Sequence, residues 1–178
     1  MTVTHAPPGH FDVGLLGDRW ILIFGGVTRQ GHRSSGRAAS GALESGLDVV
    51  WFDGFDEATE GVLDRKPLDV AQLSGNLVVV DFAEAEARTV SSHLRSGGSL
   101  RSNPVARWIW KVLLRRIGSA LRPRSCWLVV KRDLRALQSH SPPEAIVYGD
   151  DYAITSAWHS GRIWRSAQIR AGWSNGEA

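Results

Sequence analysis

A glycine-rich turn directly follows the first apolar run of the chain, at residues 20–24. Its sequence is Gly25-Gly-Val-Thr-Arg-Gln-Gly-His-Arg-Ser-Ser-Gly36. Adjacent glycines let a ligand approach the backbone, and the N–H groups that begin a following helix attract anions such as phosphate. The hydroxyl and imidazole groups of the turn add hydrogen-bonding groups. The predicted substrate-binding residues of the turn are Gly25, Gly26, Thr28, His32, Ser34 and Ser35.

The spacing of these glycines matches neither GxGxxG nor GxxxxGK[ST], so the sequence indicates neither a dinucleotide site nor a P-loop. Ligand contact is still expected, because ligands of parallel sheets bind beyond the carboxyl ends of the strands. The alternative is an ordinary turn in which a serine caps the next helix.

A second group with chemical potential is Tyr148-Gly-Asp-Asp151, at the end of another short apolar run. Carboxylates at a strand end can act as a base or bind a metal. Because neighbouring strand residues point to opposite faces, one carboxylate is expected in a cleft, and Asp150 is the predicted catalytic residue. The strands that precede the two turns are expected to end side by side, so that Gly25-Gly26 and Asp150 line one crevice. Tyr148, Asp151 and, on the following helix, His159 are predicted to contact substrate. The alternatives are that Asp151 caps that helix and that His159 is a surface residue.

The basic residues are concentrated in one part of the chain. Residues 87–132 contain no Asp or Glu but hold eleven of the 21 Lys and Arg residues, which favours an anionic partner. Residues 105–121 have the pattern of a helix with a very wide apolar arc and a narrow basic stripe, and tryptophans beside basic residues suit an anionic membrane surface. The predicted membrane-facing residues are Arg107, Trp108, Trp110, Lys111, Arg115 and Arg122.

This helix has two alternatives to membrane contact. The first is a helix packed on both the sheet and a neighbouring domain. The second is nucleic-acid binding, which is not predicted because neither an aromatic platform nor a known motif supports it.

Apolar runs alternate with helical patterns, which predicts an α/β fold: a single domain with a Rossmann-like, mostly parallel sheet and helices on both faces. Predicted strands cover 20–24, 47–52, 77–82 and 145–148. Predicted helices cover 37–45, 83–95, 105–121 and 152–164, with a loop at 27–36, a short helix at 69–73 and a loop at 96–103. Residues 126–138 fit a strand or a helix. Residues 1–18 are predicted as an N-terminal extension and 166–178 as a frayed tail without a strand.

The composition is that of a globular protein, with 178 residues of which 43% are hydrophobic and 22% charged. The single cysteine, Cys126, excludes an internal disulfide and a thiolate metal cluster. No signal peptide and no membrane-spanning run is visible, so a cytoplasmic protein is expected, with contact to the inner face of the membrane as an extension. No metal site and no tightly bound cofactor is predicted.

Two stretches resemble the N-terminal domain of a GT-B, GT4-like glycosyltransferase. The first is the Gly-Gly turn with the helix leading to ESGLDVVWFD, and the second is PPEAIVYGDDYAITSAWHSGRIW. The latter is similar to the family's strand end x-D-V-V-H-x-H-D and its next helix, although Gly149 or Asp150 stands where the family has histidine. The resemblance covers roughly residues 19–165, and the basic helix is similar to the membrane-docking element of members that act on lipid acceptors.

The resemblance implies transfer of a sugar from a nucleotide-sugar donor to a lipid-linked or polysaccharide acceptor. It places Gly25 and Gly26 in the cleft near the donor phosphates and the acceptor. The family's second domain, with its E-x7-E motif, has no counterpart in this sequence. We therefore expect an acceptor-side half that needs a separate donor-binding domain and is inactive alone. The other hypotheses are a non-catalytic peripheral membrane or scaffold protein and another small Rossmann-like nucleotide-binding module.

Overall fold

The computed structural model describes residues 3–6, 14, 16–54, 76–83, 85, 88–89 and 104–172. The strands in chain order are β1 (Val3–Ala6), β2 (Trp20–Gly26), β3 (Asp48–Asp53), β4 (Leu77–Asp81), β5 (Ala145–Tyr148) and β6 (Gln168–Ala171). The helices are α1 (Arg29–Glu44), α2 (Pro104–Ile109), α3 (Arg115–Leu137) and α4 (Ile154–Ile163). A π-helical segment, Trp110–Leu114, joins α2 to α3, and we call the three together the long helix.

The six strands form one sheet in the order β1-β4-β3-β2-β5-β6, and every pair is parallel. From β2 the chain passes through α1 to β3 on one side, whereas β5 lies on the other side of β2. The order of the strands therefore reverses beside β2, between β2 and β5. This is the position at which open parallel sheets form a ligand crevice.

The core has two layers because successive residues of β2 point to opposite faces of the sheet. Leu22 and Phe24 belong to the layer shared with α3 and α4, and Ile21 and Ile23 belong to the layer shared with α1. All seven residues of β2 are buried, as expected for a central strand covered on both faces. The structure thus confirms the predicted single α/β domain with a parallel, Rossmann-like sheet and helices on both faces.

Four predicted strands are confirmed to within two residues at each end. They are β2, β3, β4 and β5, and each is an apolar run that ends in glycine or aspartate. Pro104 begins α2, because its fixed φ and missing N–H suit a first helical turn. Gly46 follows the end of α1 with φ of +74°, a conformation that favours glycine after a helix.

The predicted start of α1 is wrong. The helix begins at Arg29 rather than at residue 37, so residues predicted as a loop form its first two turns. Thr28 is the N-cap: its hydroxyl accepts a 3.0 Å hydrogen bond from the N–H of Gly31. The glycines of this segment weaken the helical pattern in the sequence, although Gly31 is required where α1 approaches β2 closely.

The predicted end of the long helix is also wrong, since it continues through Pro123 to Leu137. Residues 126–138, which fitted a strand or a helix, are therefore helical almost throughout. Cys126, Val130, Leu134 and Leu137 recur at helical spacing and are buried against the sheet. This packing offsets the backbone hydrogen bond that a proline within a helix removes.

Two edge strands were not predicted. Residues 3–6, assigned to an N-terminal extension, form β1 and pair with β4, and residues 168–171, assigned to a frayed tail, form β6 and pair with β5. β6 carries polar and exposed residues because it lies at the edge of the sheet, so it lacks the apolar run of a central strand. The predicted short helix at 69–73 and loop at 96–103, and most of the predicted helix at 83–95, lie outside the described residues.

Candidate functional site

The carboxyl ends of β2 and β5 lie side by side and form the walls of a crevice at the switch of the sheet. Phe24 is in register with Tyr148, so the Gly25-Gly26 turn and the Gly149-Asp150 turn begin at the same level. The N–H of Gly149 donates a 2.8 Å hydrogen bond to the carbonyl of Phe24. The predicted proximity of the two turns is thereby confirmed.

The carboxylate of Asp150 binds the backbone of both turns. Its Oδ2 atom accepts hydrogen bonds from the N–H groups of Val27 and Thr28, each at 3.1 Å, and from the Thr28 hydroxyl at 2.8 Å. Its Oδ1 atom accepts 3.0 Å hydrogen bonds from the N–H groups of Tyr152 and Ala153. Asp150, and not Asp151, therefore supplies the hydrogen bonds at the start of the α4 region.

Asp150 occupies the place that a bound anion takes at the start of a helix. The free N–H groups at the N-terminus of α1 carry partial positive charge, which stabilises a negative group close to them. A phosphate has the same affinity for such groups, so it would have to displace Asp150 to bind there. The Asp150 carboxylate therefore occupies the N–H groups of Val27 and Thr28, directly before α1, and substrate binding by the glycine-rich turn stays a prediction.

The glycines of the turns allow this close approach. Gly26 has φ of +74°, and a Cβ atom at this position would overlap the Asp150 carboxylate. A Cβ on Gly31 would lie 2.6 Å from the carbonyl oxygen of Gly25 and 2.7 Å from Asp150 Oδ2. A Cβ on Gly149 would lie 2.5 Å from the hydroxyl oxygen of Ser35. The backbone of α1 therefore packs directly on the ends of β2 and β5.

A histidine–aspartate pair lies next to this crevice, above β3. Nδ1 of His32 is 2.9 Å from Oδ2 of Asp53, and the side chain of His32 is 24% exposed, so its ring reaches solvent. The His32 ring lies against Trp51, with the ring centroids 5.2 Å apart. An aspartate on Nδ1 fixes the orientation of an imidazole, which is the arrangement found where histidine accepts or donates protons.

Sequence reasoning identified His32 but missed Asp53 and Trp51. Asp53 follows the apolar run of β3 and resembles an ordinary polar stop. Its significance arises from the order of the sheet, since β3 is the parallel neighbour of β2 and their carboxyl ends meet at one edge. A sequence prediction that placed the ends of β2 and β3 at one edge of the sheet could therefore have included Asp53 in the site.

The structure distributes the other predicted substrate-binding residues unevenly. Ser34 and Tyr148 are half-buried, and Asp151 is exposed. Ser35 is fully buried beneath Gly149, and within the described part of the chain its hydroxyl has no hydrogen-bond partner. His159 lies on α4, where it stacks on Trp127 of α3 at 4.5 Å between ring centroids. Gly25, Gly26, Thr28 and Asp150 are thus brought together, whereas His159 belongs to the contact between α3 and α4.

The predicted membrane-facing helix carries many exposed apolar side chains. They are Val105, Trp108, Ile109, Val112, Leu113, Ile117 and Leu121. Arg107, Lys111 and Arg116 are exposed among them. Arg122 departs from the predicted outward position: it is half-buried, and its guanidinium lies 5.2 Å from the ring centroid of Tyr152. The side chains of Trp110 and Arg115 lie outside the described residues.

The described residues contain no group of three or more His, Cys, Asp or Glu side chains arranged to hold a metal ion. None of the described helices has an apolar stretch long enough to traverse a bilayer. In comparisons with known proteins, no family model and no curated protein matches the chain.

Proposed function

We propose that this domain is the acceptor-side half of a glycosyltransferase. The observation that carries the proposal is the position of Asp150, whose carboxylate accepts the N–H groups of Val27 and Thr28 directly before α1. A crevice at the switch of a parallel sheet is where such folds bind ligands, and here a carboxylate already lies against the backbone N–H groups that lead into α1. The crevice therefore suits the uncharged sugar portion of an acceptor, and the diphosphate of the nucleotide-sugar donor would be held by a separate donor-binding domain.

The same observation weighs against a self-contained nucleotide-binding module. Such modules place a phosphate against the N–H groups of the first helix. In this chain the N–H groups of Val27 and Thr28, directly before α1, donate to a side chain that is held at both oxygens. A nucleotide would have to break the hydrogen bonds of Asp150 before binding there.

In the transfer reaction the acceptor hydroxyl oxygen forms a bond to the anomeric carbon, and the nucleotide diphosphate leaves with the bonding electrons. The residues of this half would orient the acceptor and take up its proton. His32 is the side chain best placed for proton uptake, because its ring is partly exposed and its Nδ1 lies 2.9 Å from a carboxylate oxygen of Asp53. The contacts of Asp150 support a role in positioning the crevice walls, and its predicted catalytic role stays a prediction.

Backbone amide chemical shifts of the isolated chain test this proposal. We expect soluble oligosaccharides or a short-chain prenyl-phosphate sugar to shift the amides of Gly25, Gly26 and Gly149. UDP-glucose and GDP-mannose should leave these amides unchanged, and the amide of Gly172, an open position, is the internal control. Robust sugar transfer by the purified chain, or a response to nucleotide-sugars alone, would overturn the proposal.

Contact with an anionic membrane is a second candidate function, and it is compatible with the first when the acceptor is lipid-linked. The exposed apolar residues of the long helix support it: Val105 and Trp108 are each 65% exposed and Leu113 is 54% exposed. Basic residues stand among them and no acidic residue occurs from 87 to 132, so the face complements a negatively charged bilayer. Such contact would place the protein at the inner face of the cell membrane.

Vesicle flotation tests the membrane contact. We expect binding to phosphatidylglycerol vesicles, weak binding to phosphatidylcholine vesicles, and loss of binding in the double variant Arg107→Glu and Lys111→Glu. The matched control is Arg132→Glu with Arg135→Glu, which makes the same charge change at exposed positions near the other end of the helix. If both variants lost binding equally, the net charge of the protein would explain the loss, and the proposal of a defined docking face would be contradicted.

A further inference from the structure

A cluster of aromatic and basic side chains lies where α3 and α4 pack together, away from the Gly25 turn. His159 stands between two tryptophans: its ring stacks on Trp127 at 4.5 Å, with 19° between the planes, and meets Trp158 edge-on at 4.9 Å. The guanidinium of Arg162 lies over Trp158 at 5.1 Å from the ring centroid. Aromatic faces thus hold an imidazole and a guanidinium close to each other.

Two cations act on this imidazole. Burial lowers the pKa of His159, and the charges of Arg162 and Lys131 lower it further. α4 contains no acidic residue, and the first acidic residue of α3, Asp133, is buried. Burial and the two neighbouring cations disfavour protonation of His159, and an anion bound beside them would offset that repulsion and favour its protonated form.

Apolar side chains that remain exposed border the same cluster. Trp158 is 53% exposed, and Ile154 on α4 and Leu128 on α3 are 45% and 59% exposed. Trp158 therefore offers a face of its indole to solvent beside the guanidinium of Arg162. A ligand with a negative group and an apolar or sugar portion would match both features at once.

We propose that Lys131, His159 and Arg162, beside Trp158, form a binding site for a phosphate group. The two cations would bind the phosphate oxygens, and His159 would take up a proton and donate a further hydrogen bond as the phosphate arrives. The site does not depend on sugar transfer, because none of its residues lies in the crevice between β2 and β5. His159, predicted from the sequence to contact the substrate, would instead bind a phosphate group outside the crevice.

Titration of the His159 ring by NMR tests this proposal in the intact chain. We expect inorganic phosphate to raise the pKa of His159 and to bind more weakly as the ring deprotonates, since the neutral ring lacks the positive charge and one of the two N–H donors. Arg162→Ala or Lys131→Ala should weaken phosphate binding about tenfold, the loss of one charge-assisted hydrogen bond. Arg132→Ala, which removes the same charge from an exposed neighbouring position, is the matched control and should change binding less than twofold.

Two sources of the phosphate are separated by comparing free phosphate with phosphatidylglycerol vesicles. A saturable response to inorganic phosphate supports a site for a soluble phosphate compound, and a response to vesicles alone supports a site for a lipid headgroup. The proposal is overturned if neither probe raises the pKa of His159. It is also overturned if Arg132→Ala weakens binding as much as Arg162→Ala, since net charge would then account for the effect. All three variants alter side chains that are at least partly exposed, and a cooperative thermal transition verifies that each is folded.

Discussion

The hydroxyl of Thr28 donates a 2.8 Å hydrogen bond to the carboxylate of Asp150, across 122 residues of sequence. The same hydroxyl oxygen accepts the N–H of Gly31 and so caps α1. One contact thus joins the start of α1 to the turn after β5. The crevice at the switch of the sheet is held by hydrogen bonds from both of its walls to a single side chain.

Replacement of Asp150 by alanine is expected to destabilise the protein by about 3 kcal/mol, because several backbone N–H groups lose a charged acceptor. Urea denaturation measures the change in the free energy of unfolding. Asp151→Ala is the control, since Asp151 is exposed and should change stability by no more than about 0.5 kcal/mol. Equal effects of the two substitutions would show that the Asp150 contacts contribute little to stability.

Thr28→Ala is expected to cost about 1–2 kcal/mol, because the cap of α1 and the bond to Asp150 are lost together. Thr28→Ser retains the hydroxyl and should remain close to the wild type, since serine is an equally good N-cap. Thermal unfolding of the two variants under the same conditions gives the comparison. A serine variant as unstable as the alanine variant would assign the effect to the methyl group and contradict the role of the hydroxyl.

Alanine at the glycines of α1 should have opposite effects at two positions. Gly31→Ala would bring a Cβ to 2.6 Å from the Gly25 carbonyl, so we expect a loss of about 2 kcal/mol from overpacking. At Gly36 the nearest atom to the new Cβ is in the Trp51 ring at 3.7 Å, an ordinary contact. Gly36→Ala should therefore stabilise the helix by up to about 1 kcal/mol. Two unfolding midpoints that move in the same direction would contradict the close packing of α1 on β2.

The lowered pKa of His159 predicts how stability depends on pH. A histidine with a lower pKa in the folded state binds its proton more readily when unfolded, so protonation favours unfolding. Stability is therefore expected to fall as the pH drops below 6.5, the ordinary value of the ring, towards the folded-state pKa. His159→Gln should remove this part of the decline, as measured by urea midpoints above and below that pH. An unchanged pH profile in the variant would assign the decline to other groups.

The central part of the fold was predictable because buried parallel strands leave a direct trace in sequence. β2 and β5 are apolar runs that end at glycines, and their place at one edge of the sheet followed from the alternation of strands and helices. The meeting of Gly25 and Asp150 followed in turn. That Asp150 binds the N–H groups of the Gly25 turn did not follow, since it depends on side-chain orientation.

The missed elements share a cause, which is that tertiary contacts outweighed local preference. Gly31 lowers the helix propensity of its segment. A glycine is needed there because the carbonyl of Gly25 lies too close to leave room for a Cβ atom. β6 has polar residues such as Gln168 and Arg170 because an edge strand needs few buried side chains. Pro123 lies within a helix because the residues after it are buried on the sheet.

The long helix separates its own first turns from the crevice. Arg122 contacts Tyr152, and the residues from Arg122 back to Trp108 span about 20 Å of helix at 1.5 Å per residue. This length of helix therefore sets the distance between the crevice and a membrane bound to the exposed residues around Trp108. An acceptor anchored in that surface would need an extended portion of comparable reach to present its hydroxyl.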